Sequence, residues 1–188
     1  MKYEEIELKI PTSWNDITIE MYQQFVKINK KKFETEEERT AELICALCEV
    51  KPDQLERFKY KDLKYIVNKI SKLMDSEIDD KTLVKKVDFK GNKLGLIPNF
   101  SSITLGEFVD IESYCKDSYK NLHKLMSVIY RPIVKEKGEK YSIEEYNPDE
   151  FKADEYLDFP IVASMSSLSF FFRLGKQLKL ALLKYSSR

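Results

Sequence analysis

Hydrophobic and polar positions along this chain change period several times, and each change marks an element. Residues 3–10, YEEIELKI, alternate: after an early slip Tyr3, Ile6, Leu8 and Ile10 share one side, which predicts a strand ended by Pro11. Trp14 follows in a loop. From residue 19 the apolar positions take helical spacing, at Ile19, Tyr22, Phe25, Val26 and Ile28. Thr18 is the expected N-cap, because its hydroxyl accepts from a first-turn amide that has no partner inside the helix. Ile17 and Tyr22 then occupy the two positions of a hydrophobic staple.

The same phrase returns. IPTSWNDIT at 10–18 is echoed by IPNFSSIT at 97–104. Before the second copy, Val87, Phe89, a Gly91-Asn92 turn, and Leu94, Leu96 and Ile97 predict a hairpin that Pro98 ends. Phe100 stands where Trp14 stood. Thr104 is the N-cap, Ile103 and Phe108 repeat the staple, and Glu107 at N3 completes a capping box.

The echo continues downstream. A second helix is expected over 36–48 and over 119–130. Each is followed by a Pro-Asp helix start, KPDQLERFKYKDL at 51–63 and NPDEFKADEYLDF at 147–159, with Leu55 and Phe151 as the first apolar residues. A long helix closes each half. The first carries the stripe Leu63, Ile66, Val67, Ile70, Leu73 and Met74. The second starts at Pro160, a favoured first helical residue, and runs to about Tyr185. The Pro-Asp pairs lie about ten residues farther apart than the Ile-Thr pairs. An insertion at 133–147, with Gly138 at a hairpin tip, accounts for the difference.

These elements predict a mainly α (α+β) fold: a helical domain with a small antiparallel sheet and two pseudo-repeated halves, residues 1–82 and 83–188. The polar stretch DSEIDDKT at 75–82 separates them. Each half is small enough that a shared core is expected.

Composition narrows the classes of function. Apolar residues make up 43% of the 188, enough for a real core. Lys plus Arg and Asp plus Glu number 32 each, so the net charge is zero and nucleic acid is not favoured as the main partner. No apolar run is long enough for a membrane span. The N-terminal MKYEEIELKI has no signal-peptide core, and three cysteines, an odd number, suit a reducing compartment.

Candidate chemistry is sparse. Cys45-Ala-Leu-Cys48 has the spacing of a redox or metal pair, but both fall late in a helix on its apolar face, which suits core packing. A second ligand pair is missing; Cys115 and His123 are the remaining soft donors. His123 sits among Leu122, Leu125 and Met126, without a nucleophile turn of the G-x-S-x-G kind. Thr35-x-x-Glu38 is a further capping box, and Asp149, Glu150, Asp154, Glu155 and Asp158 suit a solvated helix face. Lys30–Lys32 and the lysines between 135 and 140 are interleaved with glutamates and need no phosphate partner. No catalytic, cofactor-binding or metal residue is assigned, and no cofactor or small-molecule substrate is expected.

The C-terminal segment, SMSSLSFFFRLGKQLKLALLKYSSR, is apolar on more than one face. Phe170, Phe171 and Phe172 cannot all enter one core from a helix. Either this helix is central and surrounded, or its extra face, Phe170, Phe171, Phe172, Leu174, Leu178 and Leu182, docks another chain. An in-plane membrane helix would want a cleaner cationic face.

The short strand, the W-x-x-I-T helix start at Trp14, Ile17 and Thr18, its echo at Phe100, Ile103 and Thr104, Arg131-Pro132, and FFFRLG together resemble small assembly proteins of tailed bacteriophages. The resemblance is to the tail-assembly-chaperone and the neck or portal-vertex types. It implies a non-enzymatic protein that binds other viral structural proteins, with a homo-oligomer as one form, in the virion or the host cytoplasm. A helical adaptor, a nucleic-acid-associated module and an enzyme with an unmarked site are the alternatives. A nucleic-acid module would show a one-sided lysine stripe with aromatics on its folded surface.

Overall fold

The computed structural model describes the backbone of residues 8–148 and 152–186, and side chains as far as residue 173. The expected strand 3–10 lies mostly outside the described residues, as do Asp149, Glu150, Phe151 and the side chains of Leu174, Leu178 and Leu182. Residues 8–10 are not part of a strand. The chain forms two compact units, one ending at Glu77 and one beginning at Ile78.

The first unit opens with a 3-10 turn, Trp14–Asp16, followed by four helices: α1 (Ile19–Lys30), α2 (Glu36–Cys48), α3 (Pro52–Leu55) and α4 (Tyr60–Met74). Asp16 holds the opening turn, its Oδ2 accepting from the backbone amides of Thr12 and Ser13 at 2.9 and 3.0 Å. Thr18 caps α1 as the sequence predicts, its hydroxyl accepting from the Met21 amide at 3.2 Å. Thr35 does the same for α2 with the Glu38 amide. Glu49, at φ 53°, turns the chain out of α2 in the left-handed conformation that ends helices. α2 packs against α1, α3 and α4. Ile28, Ile44, Leu47, Val50, Leu55, Ile66, Ile70 and Leu73 are buried, and the stripe read from α4 faces inward.

The second unit interleaves helices with an antiparallel sheet. Its elements are β1 (Lys86–Phe89), β2 (Asn92–Leu96), a 3-10 turn Phe100–Ser102, α5 (Leu105–Cys115), α6 (Leu122–Ile129), β3 (Tyr130–Lys137), β4 (Lys140–Ile143), a 3-10 turn Ala153–Asp158, and α7 (Ile161–Ser186). The sheet order is β1-β2-β3-β4, with every neighbouring pair antiparallel. The fold is thus mainly helical with a small antiparallel sheet, as expected. The first hairpin turns one residue earlier than Gly91-Asn92. Phe89 pairs with Asn92, and the two loop residues are Lys90 (φ 48°) and Gly91 (φ 80°). Two successive positive φ values make a type I′ turn, whose twist suits a two-residue hairpin. Gly138 (φ 59°) forms the tip of the β3–β4 hairpin, where the sequence places it.

Tyr130 organises this unit's core. It is fully buried at the junction of α6 and β3, and its ring lies 5.0 Å from that of Phe159. Its hydroxyl bonds the Val84 carbonyl and lies 2.7 Å from Ser167 Oγ. Its carbonyl accepts from the Tyr156 hydroxyl at 2.7 Å. The first two turns of α7 are enclosed: Ile161, Ala163, Ser164, Met165, Ser166, Ser167 and Leu168 are all buried. Serine suits these places because it is small and returns its hydroxyl to a local carbonyl, as Ser164 does to Pro160 and Ser166 to Ala163, each at 3.0 Å. The order aromatic 3-10 turn, threonine-capped helix, second helix, short helical turn, long helix occurs in both units.

Candidate functional site

α5 is turned the wrong way out for a surface helix. Glu107 is the one α5 residue that is buried, whereas Leu105, Phe108 and Val109 are 78%, 52% and 52% exposed. The three form an i, i+3, i+4 stripe on one outward face. The cause lies in Glu107. Its carboxylate accepts from the Thr104 amide at 2.6 Å, closing the predicted capping box, and from Arg131 Nη2 at 2.6 Å. Holding the N3 residue inward rotates its neighbours outward. Phe108 therefore does not make the buried staple expected at N4: the polar box holds this helix start, and the ring stays half exposed. In α1 the same N4 position, Tyr22, is half-buried and meets Trp14 edge-on at 6.3 Å.

The ion pair is itself enclosed. Burial alone raises the Glu107 pKa, but the Thr104 amide and the Arg131 guanidinium more than offset this and hold it below the usual glutamate range. The Arg131 guanidinium lies 5.6 Å from the Tyr146 ring centre, and the Tyr146 hydroxyl donates to Asp110 of α5. Arg131 Nε and Nη1 are buried and have no hydrogen-bond partner among the described residues. The sequence marks Glu107 as a cap but not its partner, because 24 residues and a whole helix separate it from Arg131.

The C-terminal aromatics divide between the two roles offered for them. Phe170 and Phe171 are half-buried and pack on Phe100, with ring centres 5.8 and 4.8 Å away. Phe172, one residue on, is 57% exposed. α7 is thus surrounded through Leu168 and emerges by Phe172, so Phe170 and Phe171 belong to this unit's own packing.

The soft donors stay apart. Cys45, Cys48 and Cys115 are free thiols, each with its pKa raised by burial, Cys48 to about 11, which disfavours the nucleophilic thiolate. His123 Nε2 lies 4.0 Å from Asp154 Oδ1, and burial lowers the imidazole pKa, so the neutral ring is favoured near pH 7. Among the described residues, no group of three His, Cys, Asp or Glu is placed to hold a metal, and no helix is long and apolar enough to cross a membrane. The first unit has an open groove of about 1420 Å³, whose lining includes Ile28, Val50, Leu55, Lys27 and Glu38.

Comparison with protein-family models, with curated proteins and with solved structures finds no match.

Proposed function

We propose that this chain is a non-enzymatic assembly protein of a tailed-phage particle, working in the virion or the host cytoplasm. In this reading it binds other viral structural proteins, or further copies of itself, through exposed apolar helix faces. The observation that carries it is the α5 face. Leu105, Phe108 and Val109 point to solvent on a helix whose inward position is held by a buried ion pair, so the outward stripe is fixed rather than a consequence of loose packing. Phe172, where α7 leaves its enclosure, supports the same reading. The repeated order of elements supports an origin by duplication, after which the two copies of the capped helix diverged: the first-turn residue Ile19 is buried and Leu105 is exposed.

The test is mass spectrometry of purified particles and of tail and neck intermediates, made with the parent chain and with a Leu105→Ser, Phe108→Ser, Val109→Ser variant. The parent is expected in the particle or in an intermediate, and the variant is expected to be lost from it while keeping its circular dichroism spectrum. A parent missing from every assembly fraction, and monomeric by light scattering, overturns the reading.

A further inference from the structure

The inward face of α4 builds the first unit's core, and its outward face has a composition of its own. At 100° per residue, Lys61, Lys64, Asn68 and Lys72 fall opposite Ile66, Ile70 and Leu73, with Tyr60 and Tyr65 at the two edges of that face. All six are exposed, Tyr60 at 82% and Tyr65 at 56%. Lys69 lies at the edge of this face, its ammonium 5.4 Å from the Tyr65 ring centre. The helix holds four lysines and one carboxylate, Asp62, which lies in the first turn. None of the four lysines makes an ion pair among the described residues. Lys59 and Arg57 extend the cationic run beyond the helix N-terminus.

An unpaired lysine row is ordinary on a solvated helix. Two tyrosines stand among these lysines, and rings beside cations set this face apart from a plain lysine row. The pairing of cations with flat rings is what single-stranded nucleic acid requires: ammonium groups for the phosphates, and faces on which bases stack. The zero net charge does not argue against it. That balance averages over the chain, while the field a polyanion meets is set by the local row. Lys61 and Lys72 are about 16 Å apart along the axis, a span of several nucleotides.

We propose that the outward face of α4 binds single-stranded nucleic acid, with Lys61, Lys64, Lys69 and Lys72 on the backbone and Tyr60 and Tyr65 stacking on bases. An anionic membrane would use the lysines but not the rings, which are spread along the helix and flanked by charge instead of forming an apolar wedge.

The experiment is fluorescence anisotropy of the full chain with a labelled oligothymidylate of about 20 nucleotides, from roughly 20 to 300 mM KCl, with a duplex of the same length and phosphatidylserine vesicles as parallel probes. Binding should weaken with salt at a log–log slope of about −2 to −3, the value for three or four neutralised phosphates on a single strand. Lys61→Glu, Lys64→Glu, Lys72→Glu should cost at least tenfold at about 50 mM KCl. Tyr60→Ala, Tyr65→Ala should cost about tenfold or more on the single strand and leave the duplex unchanged. A charge-matched control, Lys135→Glu, Lys137→Glu, Lys140→Glu on the exposed β3–β4 hairpin, should bind like the parent. The proposal falls if the parent does not bind at the lowest salt, if the hairpin control loses as much as the α4 variant, if the tyrosine variant binds the single strand unchanged, or if vesicles bind α4 and the oligonucleotide does not. Each substituted side chain is exposed or at the rim, so the variants keep the core intact; an unchanged circular dichroism spectrum checks this.

Discussion

Arg131 and Glu107 form an ion pair at 2.6 Å with only 11% and 6% of their side chains exposed. An enclosed pair of this kind is a poor source of net stability but is costly to break from one side, since the remaining charge stays buried alone. Glu107→Ala should therefore destabilise the protein by about 3–5 kcal/mol, the loss of the α5 capping box included. Glu107→Leu, Arg131→Met, which removes both charges, should cost less than Glu107→Ala. Urea denaturation of the full chain followed by circular dichroism measures the difference. A double variant weaker than the single one would show that the pair itself stabilises.

The same pair sets an acid limit. The Glu107 pKa is depressed in the folded state, so its contribution is complete above the unfolded-state value, about 4.3, and is lost as the pH falls through the lower folded-state value. Protonation there releases the Thr104 amide and leaves the Arg131 charge unpartnered. The parent should lose stability below about pH 4 more steeply than Glu107→Leu, Arg131→Met, and melting temperatures taken across that range test it. Parallel acid curves for the two proteins would place the titration elsewhere.

Gly95 on β2 has no room for a side chain. A Cβ there would lie 2.5 Å from Tyr141 Cε2 and 2.9 Å from Ile133 Cγ1. The close approach lets the Tyr141 hydroxyl cross β2 and donate to the Leu96 carbonyl at 2.8 Å. Gly95→Ala must push the ring away and should cost about 1–3 kcal/mol. In a Tyr141→Ala background the same change should cost clearly less. Equal costs in both backgrounds, read by urea denaturation, would assign the strain to Ile133 or to the backbone.

Much of the fold was legible because local chemistry dictates it. Thr18, Thr35 and Thr104 announce three helix starts, the apolar period of α4 marks its inward face, and Gly138 marks a hairpin tip. The interaction surfaces were legible only in part. Leu105, Phe108 and Val109 have the spacing of an inward face, and what turns them out is a pairing with Arg131 that no local pattern contains. The outward face of α4 was in the sequence as Tyr60, Lys61, Lys64, Tyr65 and Lys72, but a chain-wide charge balance of zero obscured it. Phe170 to Phe172 resisted assignment because a run of three identical residues does not say which ring meets Phe100.

The aromatic of the repeated phrase should anchor each unit's closing helix. The Trp14 indole donates to the Ser76 carbonyl at 3.0 Å, just past the end of α4. Phe100 meets Phe171 of α7 edge-on, at 82° between ring planes. Trp14→Phe keeps an aromatic ring but removes the donor and part of the indole, for a cost of at least about 1 kcal/mol. Phe100→Ala removes a half-buried ring and should cost about 2 kcal/mol, less than the roughly 3–5 of a fully buried one. Hydrogen exchange localises each effect: faster exchange near Ser76 for the first, and in α7 around Phe171 for the second.

The threonine caps of α1 and α5 provide the last comparison. Thr18 and Thr104 sit at φ −89° and −73° and each accepts from the N3 amide at 3.2 Å. Cap removal typically costs about 1 kcal/mol. Thr18→Ala should fall near that value, because its N3 residue, Met21, has no side-chain oxygen to take over the capping. Thr104→Ala should cost less than Thr18→Ala. The Glu107 carboxylate still reaches the residue-104 amide, and its bond to Arg131 keeps it in place without help from the threonine. Making the same threonine change in Glu107→Leu, Arg131→Met should restore the full cost of about 1 kcal/mol, because the second half of the box is then gone. If Thr104→Ala costs as much in the parent as in that background, the carboxylate is not holding the helix start, and the account of why α5 turns its apolar stripe outward fails with it.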